Sequence, residues 1–302
     1  MTVKEQIQLL KKQQNAIILA HYYVPDEVQE VADYIGDSFY LSKVASQTNA
    51  DILVLCGVSF MGESARLLNP DKIVLMPEPA ADCPMAHMAD ITTIQNLRRE
   101  YDDLAVVCYI NSTAELKKYS DVCVTSANAL KIVRELPNKN IFFIPDKNLG
   151  QYIASQIPEK HFIFNDGCCP IHASLSSEKL EKAKSAHPQA KVLIHPECPP
   201  ETLKMTDYIG STSGIINYAG ASSCSEFIIA TEDGVLYELK KQNPDKTFYM
   251  ADENFRCPGM KAITLDKVLH VLQNRDHQVE VSAELRHDAM IPLEQMLKLA
   301  DK

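Results

Sequence analysis

The chain has 302 residues, 46% of them hydrophobic and 23% charged, and a net charge of −10. These values describe a folded chain with a large core, about two domains at roughly 150 residues each, and exclude disorder and fibrous repeats. The acidic balance, with no block of Lys and Arg, excludes the electrostatic footprint of a nucleic-acid binder, and the apolar runs fall far short of the roughly 20 residues of a membrane span.

Met1 to Lys12 is amphipathic and charged, without an apolar h-region, which predicts a cytoplasmic protein. Short apolar runs bounded by polar loops then predict parallel strands at 17–20, 33–38, 52–55 and 73–76, with helical segments between them. The set recurs at 106–108, 121–126, 141–144 and 162–164, and again at 192–194, 207–212, 227–230 and 247–250. Such alternation is the pattern of βαβ units. His21, Tyr109 and His195, at the ends of the first strands, are 88 and 86 residues apart, as are Tyr23, Asn111 and Glu197, and Ser38, Ser126 and Thr212. Cys83, Cys169 and Cys257, after the fourth strands, are 86 and 88 apart, so both sums are 174 and repeat two carries a late two-residue deletion. The predicted fold is α/β: three homologous βαβ-type domains with small parallel sheets around a pseudo-threefold axis, at 1–85, 86–171 and 172–259. Residues 260–302 are predicted as C-terminal helices packing back on the repeats, with Leu265, Val268, Leu269 and Leu272 on one apolar face.

Parallel α/β units place their ligand groups outside the carboxyl ends of the strands, where all four triplets lie. A pseudo-threefold axis brings the three cysteines together. Each precedes a proline (Pro84, Pro170, Pro258), which holds it extended and gives the three thiols one direction of approach. In the adjacent pair Cys168 and Cys169, the following proline selects Cys169. Three thiolates suit zinc with an open position or an iron-sulfur cluster with one unligated iron, and spacing does not choose between them. The other cysteines, among them Cys56, Cys108 and Cys123, read as small buried hydrophobes. Ser38, Ser126 and Thr212 stand at N-cap positions, and helix N-termini there bind carboxylate or phosphate. Glu197 is the general acid/base candidate, His21 and His195 are paired catalytic positions, and Tyr23, Tyr109 and Asn111 orient substrate oxygens.

His21-Tyr22-Tyr23, Gly36-Asp37-Ser38, Tyr109-Ile110-Asn111-Ser112, Thr125-Ser126-Ala127-Asn128, His195-Pro196-Glu197-Cys198, Gly210-Ser211-Thr212-Ser213-Gly214 and Cys257-Pro258-Gly259-Met260-Lys261 resemble the quinolinate synthase family over residues 16–261. The resemblance implies three α/β domains around a 4Fe-4S cluster held by Cys83, Cys169 and Cys257. It also implies a transferase of NAD biosynthesis that condenses iminoaspartate with dihydroxyacetone phosphate, releasing phosphate and two waters. On that resemblance Glu197, His21, Tyr23 and Tyr109 are catalytic, and Ser38, Asn111, Ser126, His172, His195 and Thr212 join them around the substrate. An aspartate oxidase or dehydrogenase is implied as the supplier of iminoaspartate. The chain departs from some relatives in carrying Asn254 where they have the first cysteine of a Cys-x-x-Cys pair, and in having Cys168 beside the second ligand. The alternatives are another threefold iron-sulfur enzyme, of the reductive diphosphate or diphthamide type, and a non-catalytic metal or cluster sensor.

Overall fold

The computed structural model describes residues 1–300; positions 301 and 302, the end of the expected helical tail, lie outside the described residues. The strands form three parallel sheets of four with one order repeated. The first contains β1 (Ala16–His21), β2 (Tyr34–Gly36), β3 (Ile52–Cys56) and β4 (Ile73–Leu75), ordered β2-β1-β3-β4. The second contains β5 (Leu104–Tyr109), β6 (Val122–Val124), β7 (Asn140–Ile144) and β8 (His161–Phe164), ordered β6-β5-β7-β8. The third contains β9 (Lys191–Ile194), β10 (Tyr208–Ile209), β11 (Glu226–Ala230) and β12 (Thr247–Met250), ordered β10-β9-β11-β12. β3 and β5 are buried along their whole length, as expected of strands covered on both faces by helices. No helix among the described residues is long and apolar enough to cross a membrane.

One side-chain device sets the register of the outer strand in every sheet. Asp33, Asp121 and Asp207 accept the backbone N–H of Ile18, Val106 and Val192 at 2.7, 2.7 and 2.8 Å. Each returns its own N–H to the carbonyl of the same residue at 3.0 Å. The deletion in repeat two is also located. From the starts of β4, β8 and β12 to Cys83, Cys169 and Cys257 the distance is 10, 8 and 10 residues (83 − 73, 169 − 161, 257 − 247), so the loop after β8 is the shortened one. The short helical turn following the cysteine accordingly starts directly after Cys83 and Cys257, at Pro84–His87 and Pro258–Lys261, but only at His172–Ser174 in repeat two.

The tail forms helices Leu265–Asn274 and Ala283–Ala300. The first buries Val268, Val271 and Leu272 against the amino-terminal helix Val3–Gln14, and the second packs on Ala114–Lys118, β6 and Ser59–Leu68. The tail thus ties the first sheet to the second. Between the helices, the N–H of Val279 reaches the carbonyl of Val74 at 2.8 Å and covers the open edge of β4, where unpaired backbone groups otherwise invite another strand.

First and third repeats meet at Gly234. A Cβ there lies 2.7 Å from both Tyr22 O and Tyr23 Cα, backbone atoms that cannot turn aside, while buried Gln29 bridges the carbonyls of Tyr22, Val24 and Gly234. Gly234→Ala is therefore expected to lower stability by about 1–3 kcal/mol, the usual cost of overpacking. Denaturant unfolding checks this; an unchanged midpoint contradicts the close approach.

Candidate functional site

The carboxyl ends of all three sheets face one cavity with an empty volume of about 710 Å³, part of it open to solvent. Its lining includes every residue singled out from the sequence: His21, Tyr23, Ser38 and Cys83 from the first repeat, Tyr109, Asn111, Ser126 and Cys169 from the second, and His172, His195, Glu197, Thr212 and Cys257 from beyond it. Cys168 does not line it. Cys56, Cys108, Cys123 and Cys198 lie in the hydrophobic core.

The expected N-caps are corrected by the structure. Asp37 and Ser211, one residue earlier, take the capping bonds, from the N–H of Tyr40 at 3.0 Å and of Gly214 at 3.1 Å. Ser38 and Thr212 are the first helical residues, so neither hydroxyl is spent on capping its helix; that of Thr212 is bonded to Tyr23 instead. In repeat two the helix starts only at Ala129, after Asn128, whose side chain turns back to the N–H of Thr125 at 2.7 Å. Ser126 sits in that turn, so two helix N-termini, not three, open onto the site.

Hydrogen bonds cross the repeats. The Tyr23 hydroxyl is bonded to Thr212 Oγ1 at 2.6 Å and to Thr231 Oγ1 at 2.7 Å. Thr231 is bonded in turn to His172 Nε2 at 2.9 Å, and His172 Nδ1 lies 2.6 Å from Glu197 Oε2 and 3.3 Å from Cys169 Sγ. The ring of His172 stacks on that of His195 with centroids 4.7 Å apart, and His195 Nε2 bonds Ser126 Oγ at 3.1 Å. His21 and His195 use one device: the N–H two residues on, of Tyr23 and Glu197, points at Nδ1 at 3.2 and 3.4 Å. Nδ1 is thereby the acceptor and Nε2 the protonated nitrogen, in the tautomer set by the neighbouring bond.

Burial drives the titration of these groups. It pulls His21 down to about 3, helped by His195, and His195 likewise to about 3, so both rings are neutral at ordinary pH. Burial also pushes the Tyr23 and Tyr109 hydroxyls well up, with the Glu197 charge adding to the effect. At Glu197 burial raises the pKa, but His172 and His195 outweigh it and bring the carboxyl down to about 2. His172 meets the Glu197 charge at Oε2 and the nearby Tyr109 hydroxyl helps to lower its pKa, while Oε1 is buried and has no hydrogen-bond partner of ordinary length. A buried charged oxygen left open costs on the order of 1–3 kcal/mol or more, and such an atom is a ready acceptor for a ligand.

The three thiols fit a metal group. Burial raises all of them, Cys83 to about 12, and the Cys83 thiol is raised further by Glu197 and Cys257, as Cys169 is by Glu197 and Cys83. Three neighbouring thiols that resist ionisation alone become thiolates when a cation takes their charge. Among the described residues the three sulfurs do not gather within 4.8 Å of one another. A single tetrahedral ion with Zn–S bonds of about 2.3 Å needs them closer, and a larger sulfide-bridged group does not.

Several cavity residues escaped the sequence reading. Asp37, Thr125 and Glu232 line the wall, and Thr231, Asp146 and Lys261 stand behind it. Glu232 and Asp146 had a signal: they are 86 residues apart, two positions past β11 and β7. Thr231 had none, because Pro145 occupies its place in the second repeat.

The family model described as quinolinate synthetase A protein matches residues 5–298. The quinolinate synthase of Caldicellulosiruptor bescii is 50% identical over 297 residues, 98% of either chain. That of Clostridioides difficile is 50% identical over 296 residues, 98% of this chain and 97% of its own, and that of Fusobacterium nucleatum 50% over 298 residues, 99% of either. With the match running through all three sheets and every wall of the cavity, the chain belongs to the quinolinate synthase family.

Proposed function

We propose that the chain condenses iminoaspartate with dihydroxyacetone phosphate to quinolinate, with loss of phosphate and two waters, and that Cys83, Cys169 and Cys257 hold a 4Fe-4S cluster beside the substrate. The observation that carries this reading is the unpartnered Oε1 of Glu197, on a charged residue that lines the same cavity as three thiols from three repeats. When bound, such a cluster supplies an open iron that acts as a Lewis acid on a substrate oxygen. The remaining work falls to side chains. Ser38 and Thr212 stand at helix N-termini suited to substrate carboxylate or phosphate, which lets a chain of charge −10 hold an anion. His21 offers a neutral Nε2–H donor, His195 holds Ser126 through its Nε2, Tyr109 and Asn111 orient substrate oxygens, and Glu197 takes and returns protons at Oε1 while His172 holds Oε2. The repeats 1–85, 86–171 and 172–259 each carry one sheet and close two residues past one cysteine, which supports those boundaries. All nine cysteines are free thiols, which suits a reducing cytoplasm. An aspartate oxidase or dehydrogenase would feed it iminoaspartate.

Quinolinate formed from the two substrates by anaerobically reconstituted protein tests the reading, and absence of product with a full complement of iron and sulfide defeats it. Glu197→Gln keeps shape and removes the proton carrier, so turnover should fall by about 10² to 10⁴ with iron and sulfide unchanged; turnover near wild type would remove Glu197 from that role.

Separate serine substitutions at Cys168 and Cys169 give a second check. Cys169→Ser should strip iron and acid-labile sulfide and Cys168→Ser should spare both; the reverse outcome exchanges their assignments.

The buried histidines predict an acid limit for the metal-free protein. Their folded pKa of about 3 lies below the ordinary 6.5, so the unfolded state binds more protons and stability declines as pH falls from 6.5 toward 3. The slope is about 1.4 kcal/mol per pH unit for each ring. His21→Asn should make that slope shallower by about one proton in denaturant melts between pH 4 and 6.5; an unaltered slope contradicts a neutral buried His21.

A further inference from the structure

Each cluster-candidate cysteine is gripped from two sides. On the thiol side are the amides of the following turn: Met85 and Ala86 at Cys83, His172 at Cys169, Gly259 and Met260 at Cys257. On the main-chain side the N–H of the cysteine itself is taken by a carboxylate. Cys83 N donates to Asp82 Oδ1 at 2.8 Å, Cys169 N to Asp146 Oδ2 at 3.0 Å and Cys257 N to Glu232 Oε1 at 2.9 Å. We propose that Asp82, Asp146 and Glu232 are positioning residues for the metal group, each fixing one ligand cysteine by accepting its backbone N–H.

Asp146 and Glu232 are built alike. Both stand two residues past the third strand of their sheet, and each divides its oxygens between two loops. Asp146 Oδ1 accepts the N–H of Leu149 at 2.7 Å while Oδ2 reaches Cys169; Glu232 Oε2 accepts the N–H of Gly234 at 2.7 Å while Oε1 reaches Cys257. One carboxylate thus staples the loop after the third strand to the cysteine loop after the fourth. Helix capping alone accounts for one oxygen of Asp146 and not the other. Asp146 is wholly buried and Glu232 almost so, and burying a carboxylate costs several kcal/mol unless its lone pairs are met, so these are not passive surface acids. The first repeat shows the same bond reached differently. Its equivalent position, 88 residues before Asp146, is Val58, whose side chain accepts nothing, and Asp82 beside the cysteine takes over. The acceptor changes origin and the N–H bond is kept. The arrangement resembles a capping box, in which the cap residue's side chain takes a helix amide and another carboxylate takes the cap's own N–H, except that the carboxylate arrives from 23 and 25 residues upstream at Cys169 and Cys257 (169 − 146, 257 − 232). Glu232 also pairs with Lys261 at 2.9 Å, and Lys261 donates to Tyr23 O at 2.7 Å, so the third clamp is tied to the wall that carries Tyr23.

The proposal rests on the cluster reading for its purpose, and the test separates the two. Asp146→Ser keeps a good N-cap for Leu149 but is too short to span to Cys169; Glu232→Gln leaves a single acceptor oxygen for two amides and repeats the test in the third sheet should the first variant not fold. In metal-free protein, amide hydrogen exchange at Cys169 should accelerate at least about tenfold in Asp146→Ser, while Leu149 remains protected, a split that general loosening would not give. In reconstituted protein, a chelator should remove iron about tenfold faster than from wild type. Unchanged exchange at Cys169 with unchanged iron release overturns the clamp. Wild-type protein that takes up no acid-labile sulfide overturns the cluster reading instead, and the exchange arm then decides the clamp by itself.

Discussion

Several polar groups at the centre of this molecule find their hydrogen-bond partners across the boundaries between repeats, while His172 pairs with Glu197 and Thr231 within the third. Tyr23 of the first repeat is met by Thr212 and Thr231 of the third, His195 by Ser126 of the second, and Ser213 reaches Asp37 Oδ2 at 2.5 Å. Each of these groups sits where water is scarce, and an unmet partner there costs on the order of 1–3 kcal/mol. No single sheet satisfies its own carboxyl-terminal loops. Three sheets closed on one another supply most of these partners, with Thr125 Oγ1 and Glu197 Oε1 left unmet, and the cavity is what their closure leaves. Fold and site therefore depend on one set of bonds.

The same closure explains the electrostatics. Neutral rings at His21 and His195, protonated tyrosines and un-ionised thiols leave Glu197 as the cavity's open charge, and the protein holds it in place through His172 while leaving Oε1 bare. Of the three acidic residues lining the cavity, Asp37 and Glu232 are engaged by other protein groups, and the remaining wall offers N–H and O–H groups that add no negative charge, which suits anionic substrates. The helix ends at Ser38 and Thr212 add the favourable end of the backbone dipole.

Much of this was legible in the sequence because the chain repeats itself. Subtracting residue numbers brings His21 onto His195 and Cys83 onto Cys257, and a parallel α/β fold sends such positions to one place. What subtraction cannot supply is the offset of a cap by one residue. Asp37 and Ser211 precede Ser38 and Thr212 and are equally good N-caps by residue type, so only geometry tells which of the two hydroxyl or carboxyl groups is spent on the helix. Contacts from outside the repeat pattern were equally silent: Thr231 has no counterpart in the second repeat, and the C-terminal helices announce an apolar face without saying that it will cover the first two sheets. Asp146 and Glu232 were within reach of the same arithmetic, since they keep the 86-residue interval, but acidic residues after strands are too common to stand out without the N–H bonds they accept.

At the centre of the proposed function, Cys83, Cys169 and Cys257 from three repeats would hold one sulfide-bridged iron group in the cavity that Glu197 also lines. Mössbauer spectroscopy of anaerobic protein reconstituted with iron-57, before and after adding a small dicarboxylate, addresses it most directly. The account predicts one iron in four distinct from the rest, with that one alone changing when the dicarboxylate is added. Equivalent irons that ignore the dicarboxylate, or zinc in place of iron with no acid-labile sulfide, would contradict it.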